Sequence, residues 1–196
     1  LTFFPDGERF IYGETWPTPG VYIGNLDGSL PIHILGPPTY YQFVALSPDG
    51  TRIAFTSHDL SSTCELQERP STDGNGCTHV YDIWVMNIDG SGLFNLTNEP
   101  PVQSNTAGEF NTCLLPVWSL DGSRISFYCE GPDHGFPGNE WSNYVIDANG
   151  SNRIPIVFLG GGHTVMGGWG WSPDGTRIAH TYLSNIYLMD PDGSNL

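Results

Sequence analysis

The chain contains no lysine. All six of its Lys and Arg positions are arginines, against 21 aspartates and glutamates, so the formal charge at pH 7 is −15 over 196 residues. A surface of this charge repels the phosphate backbone of nucleic acids and the anionic headgroups of membranes. We therefore expect neither nucleic acid binding nor membrane insertion.

Long hydrophobic runs are also missing. No stretch approaches the roughly 20 apolar residues of a transmembrane helix, and no segment shows the 3.6-residue apolar period of an amphipathic helix. The apolar residues occur instead in short β-branched and aromatic runs, such as residues 52–56 and 81–86. Such runs between clusters of Gly, Asp and Pro predict strands, and therefore an all-β protein.

The motifs of common catalytic and metal sites do not occur. There is no Gly-x-Ser-x-Gly elbow of a serine hydrolase, and residues 160–163 (GGGH) lack the Lys and Ser/Thr of a phosphate-binding loop. The Asp-Gly turns do not have EF-hand spacing, and there is no Cys-x-x-Cys pair for zinc. We expect no catalytic residues, no metal site and no cofactor, with Ca²⁺ left open as a ligand of the acidic surface.

What the sequence does contain is one phrase in four copies. Residues 47–55 read SPDGTRIAF, residues 119–127 read SLDGSRISF and residues 172–180 read SPDGTRIAH, while a divergent copy, FPDGERF, occupies residues 4–10. Each copy is followed by a second turn phrase ending in Gly-Ser, such as DGS at residues 27–29. Pro, Asp and Gly favour tight turns, and a recurring phrase indicates a repeat architecture.

Each repeat predicts four antiparallel strands: strand a before the first turn, strand b after it, strand c before the second turn and strand d after that. Four-stranded sheets that cover one another's faces are the blades of a β-propeller. We therefore predict a single β-propeller segment with four visible blades, at approximately residues 1–35, 36–97, 98–158 and 159–196.

The last repeat has a specific wording. Residues 171–179 (WSPDGTRIA) and 186–196 (IYLMDPDGSNL) resemble the WD40-like propeller repeat of TolB-type proteins. Similar repeats occur in the propeller domains of prolyl oligopeptidase-type peptidases and tricorn-type proteases. The resemblance covers nearly the whole chain and implies the fold, whereas many unrelated functions share that fold.

The repeat also locates the two chain ends within blades. Residue 1 falls inside strand a of the first predicted blade, and Leu196 falls at the start of strand d of the last. Because these ends do not complete each other's blade, we expect a segment of a larger ring whose remaining blades belong to a longer chain. A closed four-bladed ring is the alternative. Alone, residues 1–196 are expected to be poorly stable or to self-associate through unpaired edges.

Four of the six arginines share one repeat position, two residues after the first-turn glycine. One interpretation is a ring of anion-binding side chains. The other, which we favour because a position filled in every repeat serves the repeat, is that each arginine pairs with the turn aspartate or with the backbone of a neighbouring blade. The four residues are Arg9, Arg52, Arg124 and Arg177.

The four cysteines form two local pairs. Cys113 and Cys129 are equally distant from Asp121, the centre of an a–b turn, so they should lie opposite each other within reach of a disulfide. Cys64 and Cys77 bracket one loop, and we predict a disulfide there too. Disulfides indicate an oxidising compartment: the periplasm, the cell surface or the medium. Four unpaired thiols in a cytosolic protein are the alternative.

Insertions fall on one rim of the predicted propeller. The two turn glycines of successive repeats are 21, 40, 28 and 18 residues apart, and the excess lies in the b–c loops, which share a rim with the d–a loops. Insertions on one face often mark the binding face, although drift in tolerant surface loops would look the same. The candidate binding residues there are Asp59, Glu65, Glu68, Asp73, Glu99, Glu109, Asp133, His134 and Glu140.

Together these features favour a non-enzymatic extracytoplasmic propeller that binds a protein, a peptide or a glycan through its long-loop rim. The resemblance also allows the gating propeller of a prolyl oligopeptidase-like serine peptidase whose catalytic domain lies outside this chain. A metal-dependent lyase built within the propeller is a third hypothesis.

Overall fold

The structure is a computed structural model that describes residues 1–14, 18, 20–36, 41–58, 81–99, 112–130, 141–156, 169–182 and 185–195. These residues form β-strands, turns and connecting segments. Within them there is no helix with the length and hydropathy that crossing a bilayer requires.

The first turn of each repeat is closed by the same hydrogen bonds. The amide of Gly122 donates to the Ser119 carbonyl oxygen at 2.9 Å, and Asp121 Oδ1 accepts the amide of Ser123 at 3.0 Å. Gly122 has φ 69°, a left-handed conformation in which a Cβ atom would be strained. Equivalent bonds recur in the other three copies of the phrase, so each Asp-Gly phrase reverses the chain between strands a and b.

The described residues form fifteen strands that pair with their sequence neighbours. The first sheet contains β1 (Thr2–Phe3), β2 (Arg9–Glu14), β3 (Gly20–Asn25) and β4 (Ile32–Leu35). The second contains β5 (Tyr41–Leu46), β6 (Arg52–His58), β7 (Tyr81–Asn87) and β8 (Phe94–Asn95). The third contains β9 (Thr112–Trp118), β10 (Arg124–Glu130), β11 (Trp141–Asp147) and β12 (Ile154–Ile156). The fourth contains β13 (Trp169–Trp171), β14 (Ile178–Tyr182) and β15 (Asn185–Met189).

Pairing within each sheet is antiparallel, as the repeat predicts. A parallel bridge between Tyr81 of β7 and Thr112 of β9 joins the second and third sheets. It lies at the ends of β7 and β9 that are remote from the short turns. The described sheets therefore connect at one rim in addition to packing face to face.

The hydrophobic core lies between the sheets. Because side chains alternate along a strand, Ile53 and Phe55 of β6 pack toward the first sheet, while Ala54 packs toward the third. Val145 of β11 in turn packs against Ile178 of β14. Each inner sheet is thus buried on both faces, which explains why its strands read as nearly continuous apolar runs.

The repeated arginine joins neighbouring sheets. Arg52 Nη2 donates to the Gly122 carbonyl oxygen of the next sheet at 2.8 Å, and its guanidinium lies 4.7 Å from the ring centroid of Trp118. Arg124 repeats the arrangement one sheet further on, 3.4 Å from the Gly175 carbonyl oxygen and 5.2 Å from the ring of Trp171. We call this pair of contacts the arginine clasp.

The two outer copies of the arginine pair within their own sheet. Arg9 Nε lies 2.7 Å from the turn carboxylate of Asp6, and Arg177 Nε lies 3.3 Å from Asp190 of the second turn phrase. All four arginines therefore bind an aspartate of their own sheet or the backbone of the next one. This agrees with the structural interpretation of the repeat position and leaves no ring of free cations.

Candidate binding rim

The two ends of the sheets differ in chemistry. One end carries the short Asp-Gly turns. The other end, which we call the long-loop rim, is where β6 and β7 end their pairing at His58 and Tyr81, and β10 and β11 at Glu130 and Trp141. Apart from the turn serines, most buried polar residues lie in the half of the sheets nearest this rim: Thr56, Ser57, Asp82, Thr97, Glu99, Thr112, Asn143 and His180.

Asp82 is the centre of the best-defined polar group. It sits in β7, next to the rim, and is 2% exposed. Its Oδ1 accepts the Thr97 hydroxyl at 2.6 Å and the Glu99 amide at 3.0 Å, while Oδ2 accepts Asn95 Nδ2 at 2.8 Å. Burial raises the pKa of Asp82 above its ordinary value, against the opposing effect of these three donors. The carboxylate thereby holds the segment after β8 against the end of β7.

Glu99 continues this segment into the third sheet. Its carboxylate is buried and forms an ion pair with Arg153, which lies next to β12. The Arg153 guanidinium is stacked 4.1 Å from the ring centroid of Tyr144 and 5.4 Å from that of Phe127. One cation thus neutralises the acid and packs on two core aromatic rings, which ties the second sheet to the third beneath the rim.

A disulfide adjoins this ion pair. Cys113 and Cys129 are paired in the β9–β10 register and joined through their sulfur atoms, with Cα atoms 4.1 Å apart. Arg153 Nη2 lies 3.5 Å from Cys129 Sγ, and Glu99 Oε1 lies 3.7 Å from Cys113 Sγ. The predicted Cys113–Cys129 disulfide is confirmed.

The same atoms do not make a metal centre. The carboxylate of Glu99 and the two sulfurs lie within 4.8 Å of one another, a spacing at which two thiolates and a carboxylate could bind zinc. Sulfur atoms in a disulfide are not thiolates, and the Arg153 cation occupies the neighbouring position. In the described structure Glu99, Arg153 and the Cys113–Cys129 disulfide connect the second and third sheets beneath the rim. We call this group the anchor.

Further hydrogen-bonding capacity lies close to the anchor. Thr56 Oγ1, Ser57 Oγ, Trp84 Nε1 and Asn143 Oδ1 are buried, and none has a hydrogen-bond partner in the described part of the chain. Buried polar atoms are normally satisfied by protein or by water. Thr56, Ser57 and Asn143 lie in the rim-side half of the second and third sheets, and Trp84 lies at the middle of β7. These atoms are therefore inside the sheets and not on the surface of the rim.

The structure describes one of the nine predicted binding residues. Glu99 lies in the segment after β8, is 8% exposed and is paired with Arg153. It therefore anchors the rim from below. The remaining eight, and the Cys64–Cys77 pair, lie outside the described residues: Asp59, Glu65, Glu68, Asp73, Glu109, Asp133, His134 and Glu140.

Two important rim residues were not singled out from the sequence. Asp82 is an acid inside the apolar run YDIWVMN, and an ionisable residue in such a run is a signal of a buried polar contact. Arg153 is an arginine outside the repeat position, which marks it as serving something other than the clasp. Both features are visible in the sequence, although neither indicates which residue Asp82 or Arg153 contacts.

No protein-family model matches the sequence, and no curated protein matches it. Solved structures do match. The chain is similar to TolB from Acinetobacter baumannii, with a TM-score of 0.60 and 18% identity over 98% of this chain and 40% of that one. It is also similar to a putative TolB from Agrobacterium tumefaciens, with a TM-score of 0.56 and 20% identity over 98% of this chain and 61% of that one.

A peptidase shares the same architecture. The puromycin-hydrolyzing peptidase of Mycobacterium tuberculosis matches with a TM-score of 0.58 and 16% identity, over 97% of this chain and 29% of that one. At these identities the similarity shows the fold alone. The fold is an all-β propeller architecture of the kind found in TolB and in peptidase propellers, and the chain spans less than two thirds of each of these solved chains.

Proposed function

We propose that this protein is a non-enzymatic binding module that recognises a protein, a peptide or a glycan through the long-loop rim. The observation that carries the proposal is the unequal distribution of polar groups. Asp82, Glu99 and the Cys113–Cys129 disulfide are buried beneath one rim, whereas the opposite rim has short turns that satisfy their own hydrogen bonds. A rigid, anchored base under long loops is the usual construction of a binding surface.

The acidic residues of the rim indicate the chemistry of the ligand. Asp59, Glu65, Glu68, Asp73, Glu109, Asp133 and Glu140, with His134, form the proposed contact set. An acidic surface attracts cationic partners by long-range electrostatics, and the chain carries a formal charge of −15. We propose that a basic peptide or a basic protein surface is the preferred ligand class.

We also propose an extracytoplasmic location. A disulfide persists in an oxidising compartment and is rare in the cytosol, and Cys113–Cys129 is such a bond. The fold is shared with TolB proteins.

A second candidate is the gating propeller of a serine peptidase with a catalytic domain outside this chain. The observation in its favour is the similarity to the puromycin-hydrolyzing peptidase, of which this chain covers 29%. In that case the rim would select substrates by size and charge. The full-length sequence separates the two candidates, because an adjoining α/β segment with a nucleophile elbow selects the peptidase.

The binding proposal is tested with an array of cationic, neutral and acidic peptides, and with a glycan array in parallel. We expect retention of cationic peptides that weakens as salt rises, because exposed charge pairs are screened. Shortening residues 59–78 should abolish the retention, whereas Ser91→Ala, which changes an exposed turn on the opposite rim, should preserve it. If both variants lost the retention of cationic peptides to the same extent, the long-loop rim would not be the binding site. The purified chain should also be assayed for hydrolysis and for elimination reactions. If it shows either activity, and His134→Ala or His163→Ala abolishes that activity, the protein is an enzyme and the binding proposal is wrong.

A further inference from the structure

The second turn phrase differs among the repeats at the residue before its glycine. Three copies have aspartate there and the third has asparagine: Asp27, Asp89, Asn149 and Asp192. Asn149 is exposed and lies in the turn between β11 and β12, at the end of the sheets that carries the short turns. An asparagine followed by glycine is open to attack on its side-chain amide by the next backbone nitrogen, because glycine has no side chain to obstruct the approach.

Asn149 makes the same hydrogen bonds as the aspartate of the fourth copy. Its Oδ1 accepts the Ser151 amide at 2.9 Å and the Ser151 hydroxyl at 2.6 Å. Asp192 Oδ1 accepts the amide and the hydroxyl of Ser194 at the same two distances. These bonds use only the oxygen that the two side chains have in common. A carboxylate at position 149 would therefore keep both of them.

The neighbours of this residue match as well. Asp147 Oδ2 accepts Asn152 Nδ2 at 2.7 Å, and Asp190 Oδ2 accepts Asn195 Nδ2 at 2.5 Å. The fourth copy thus holds two carboxylates two residues apart within the same hydrogen-bonded turn. A negative charge at position 149, close to Asp147, is compatible with this backbone.

The closed turn restrains an attack on the Asn149 side chain. Gly150 has φ 87°, and its amide donates to the Asp147 carbonyl oxygen at 2.8 Å. The Gly150 nitrogen must leave this bond and lose its proton before it can act as a nucleophile. The two bonds from Ser151 also hold Asn149 Oδ1, so the side-chain amide is not free to rotate toward the Gly150 nitrogen. The reaction therefore needs local opening of the turn.

The aspartates at the same position resist the corresponding attack. An ionised carboxylate repels a nucleophile and is a poor electrophile, whereas a carboxamide is neutral. Hydrogen bonds from the serine two residues later lower the pKa of Asp27, of Asp89 and of Asp192, so these carboxyls stay ionised at neutral pH. Among the four second-turn phrases, Asn149 is the residue that can react under such conditions.

We propose that Asn149 is a site of spontaneous deamidation that is gated by the opening of its turn, and that the aspartate product restores the residue of the other three repeats. The Gly150 nitrogen forms a bond to Asn149 Cγ and closes a succinimide ring. The bond from Cγ to Nδ2 breaks, and ammonia leaves with the proton of the Gly150 amide. Water then adds to one of the two ring carbonyls. Opening the ring at one carbonyl gives aspartate, and opening it at the other gives isoaspartate.

The two products differ in their effect on the fold. Aspartate keeps the turn and adds a negative charge at the end of the molecule opposite the long-loop rim. Isoaspartate lengthens the backbone by one methylene between Asp147 and Ser151, although the Asp147 amide must donate to the Ser151 carbonyl oxygen at 2.9 Å to close the turn. We therefore expect isoaspartate to destabilise the third sheet. The site is independent of the ligand of the rim.

The test measures deamidation of the protein at neutral pH by peptide mapping, in buffer and in urea. Mapping separates Asn149 from Asn75, the other asparagine that precedes a glycine. A protease that cleaves before aspartate but not before isoaspartate distinguishes the products. We expect Asn149 to deamidate at least about ten-fold more slowly in the folded protein than in urea, because only the opened turn reacts.

Three variants sharpen the test. Ser151→Ala removes the hydroxyl that bonds Asn149 Oδ1, so it should speed deamidation of the folded protein about two- to five-fold and leave the rate in urea unchanged. The matched control is Ser194→Ala, which removes the equivalent hydroxyl of the fourth copy and should leave both rates at Asn149 unchanged. Asn149→Asp supplies the aspartate product, and its urea unfolding should coincide with that of the unmodified protein.

Four results would overturn the proposal. Asn149 could remain intact even in urea, so that it would not be a deamidation site. Equal rates in buffer and in urea would show that the turn does not gate the reaction. Slower deamidation of folded Ser151→Ala would show that the hydroxyl activates the side-chain carbonyl instead of restraining it. A clear loss of stability in Asn149→Asp would show that the carboxylate does not fit the turn.

Discussion

Replacing Arg153 by methionine is the sharpest test of the anchor beneath the rim. The variant keeps an apolar side chain over Tyr144 and leaves the Glu99 carboxylate without its cation. Removing one partner of a buried ion pair costs about 3–5 kcal/mol, since the other charge stays buried. The Glu99 side chain is 2% exposed but that of Arg153 is 26% exposed, so water screens part of the loss. We expect about 2–4 kcal/mol.

The measurement is urea unfolding at fixed protein concentration, made for Arg153→Met, Glu99→Gln and the double variant. The double variant should be more stable than the sum of the single losses predicts, by about 1.5 kcal/mol or more, because it buries no charge.

The exposed pair of Arg177 and Asp190 provides the control. Their side chains are 47% and 30% exposed, so Arg177→Met should change the unfolding free energy by about 0.5 kcal/mol or less. If Arg153→Met lowered the unfolding free energy by only about 0.5 kcal/mol, the reasoning would be refuted. Such a small loss would show that Glu99 binds water or another donor as easily as Asp190 does.

Three further predictions concern the described turns and strands. Reducing the Cys113–Cys129 disulfide, or replacing both cysteines by serine, should lower the unfolding free energy by about 2–4 kcal/mol, because the bond closes a loop of sequence separation 16. Urea unfolding with and without a reductant measures this loss, and an unchanged unfolding midpoint would contradict it. Hydrogen bonds from the turn serine and from the residue after the glycine lower the pKa of Asp121 and of Asp174 to about 2. Their carboxylates bind these donors when ionised, so their contribution is complete above about pH 4 and is lost as the pH falls to about 2, and Asp121→Asn should flatten the acid limb of a stability profile. Gly122→Ala should cost about 1–2 kcal/mol, since φ 69° strains a residue with a Cβ atom, and equal stability of this variant in thermal melts would refute the turn geometry.

The sequence predicted the local structure well because that structure is held by local contacts. The Asp121 carboxylate bonds an amide two residues away, and Gly122 bonds a carbonyl three residues away. Such contacts form from the turn phrase itself, wherever the strands later pack. The Cys113–Cys129 pairing belongs to the same class, because a two-strand register follows from the position of the turn between them.

The sequence predicted the anchor beneath the rim only in part. The repeat indicated which rim carries the insertions and placed Glu99 on it. The partner of Glu99 is 54 residues further along the chain, in a different sheet, and no periodicity links the two positions. An acid on the rim is also the residue type expected for a ligand contact, so its burial against Arg153 could not be separated from a binding role before the sheets were packed together.

By itself the sequence determined the all-β class, the repeat, the turns and the strand order, since each of these depends on a few adjacent residues. Only the tertiary structure decided what each sheet face meets. The partner of Arg52 is a carbonyl 70 residues away, and the ring beneath it belongs to another sheet. At the same repeat position in the first sheet, Arg9 instead pairs with Asp6 of its own turn and lies over the ring of Phe4. The physical reason is that contacts between sheets depend on residues from two distant repeats at once, and the phrase within either repeat specifies only half of each contact.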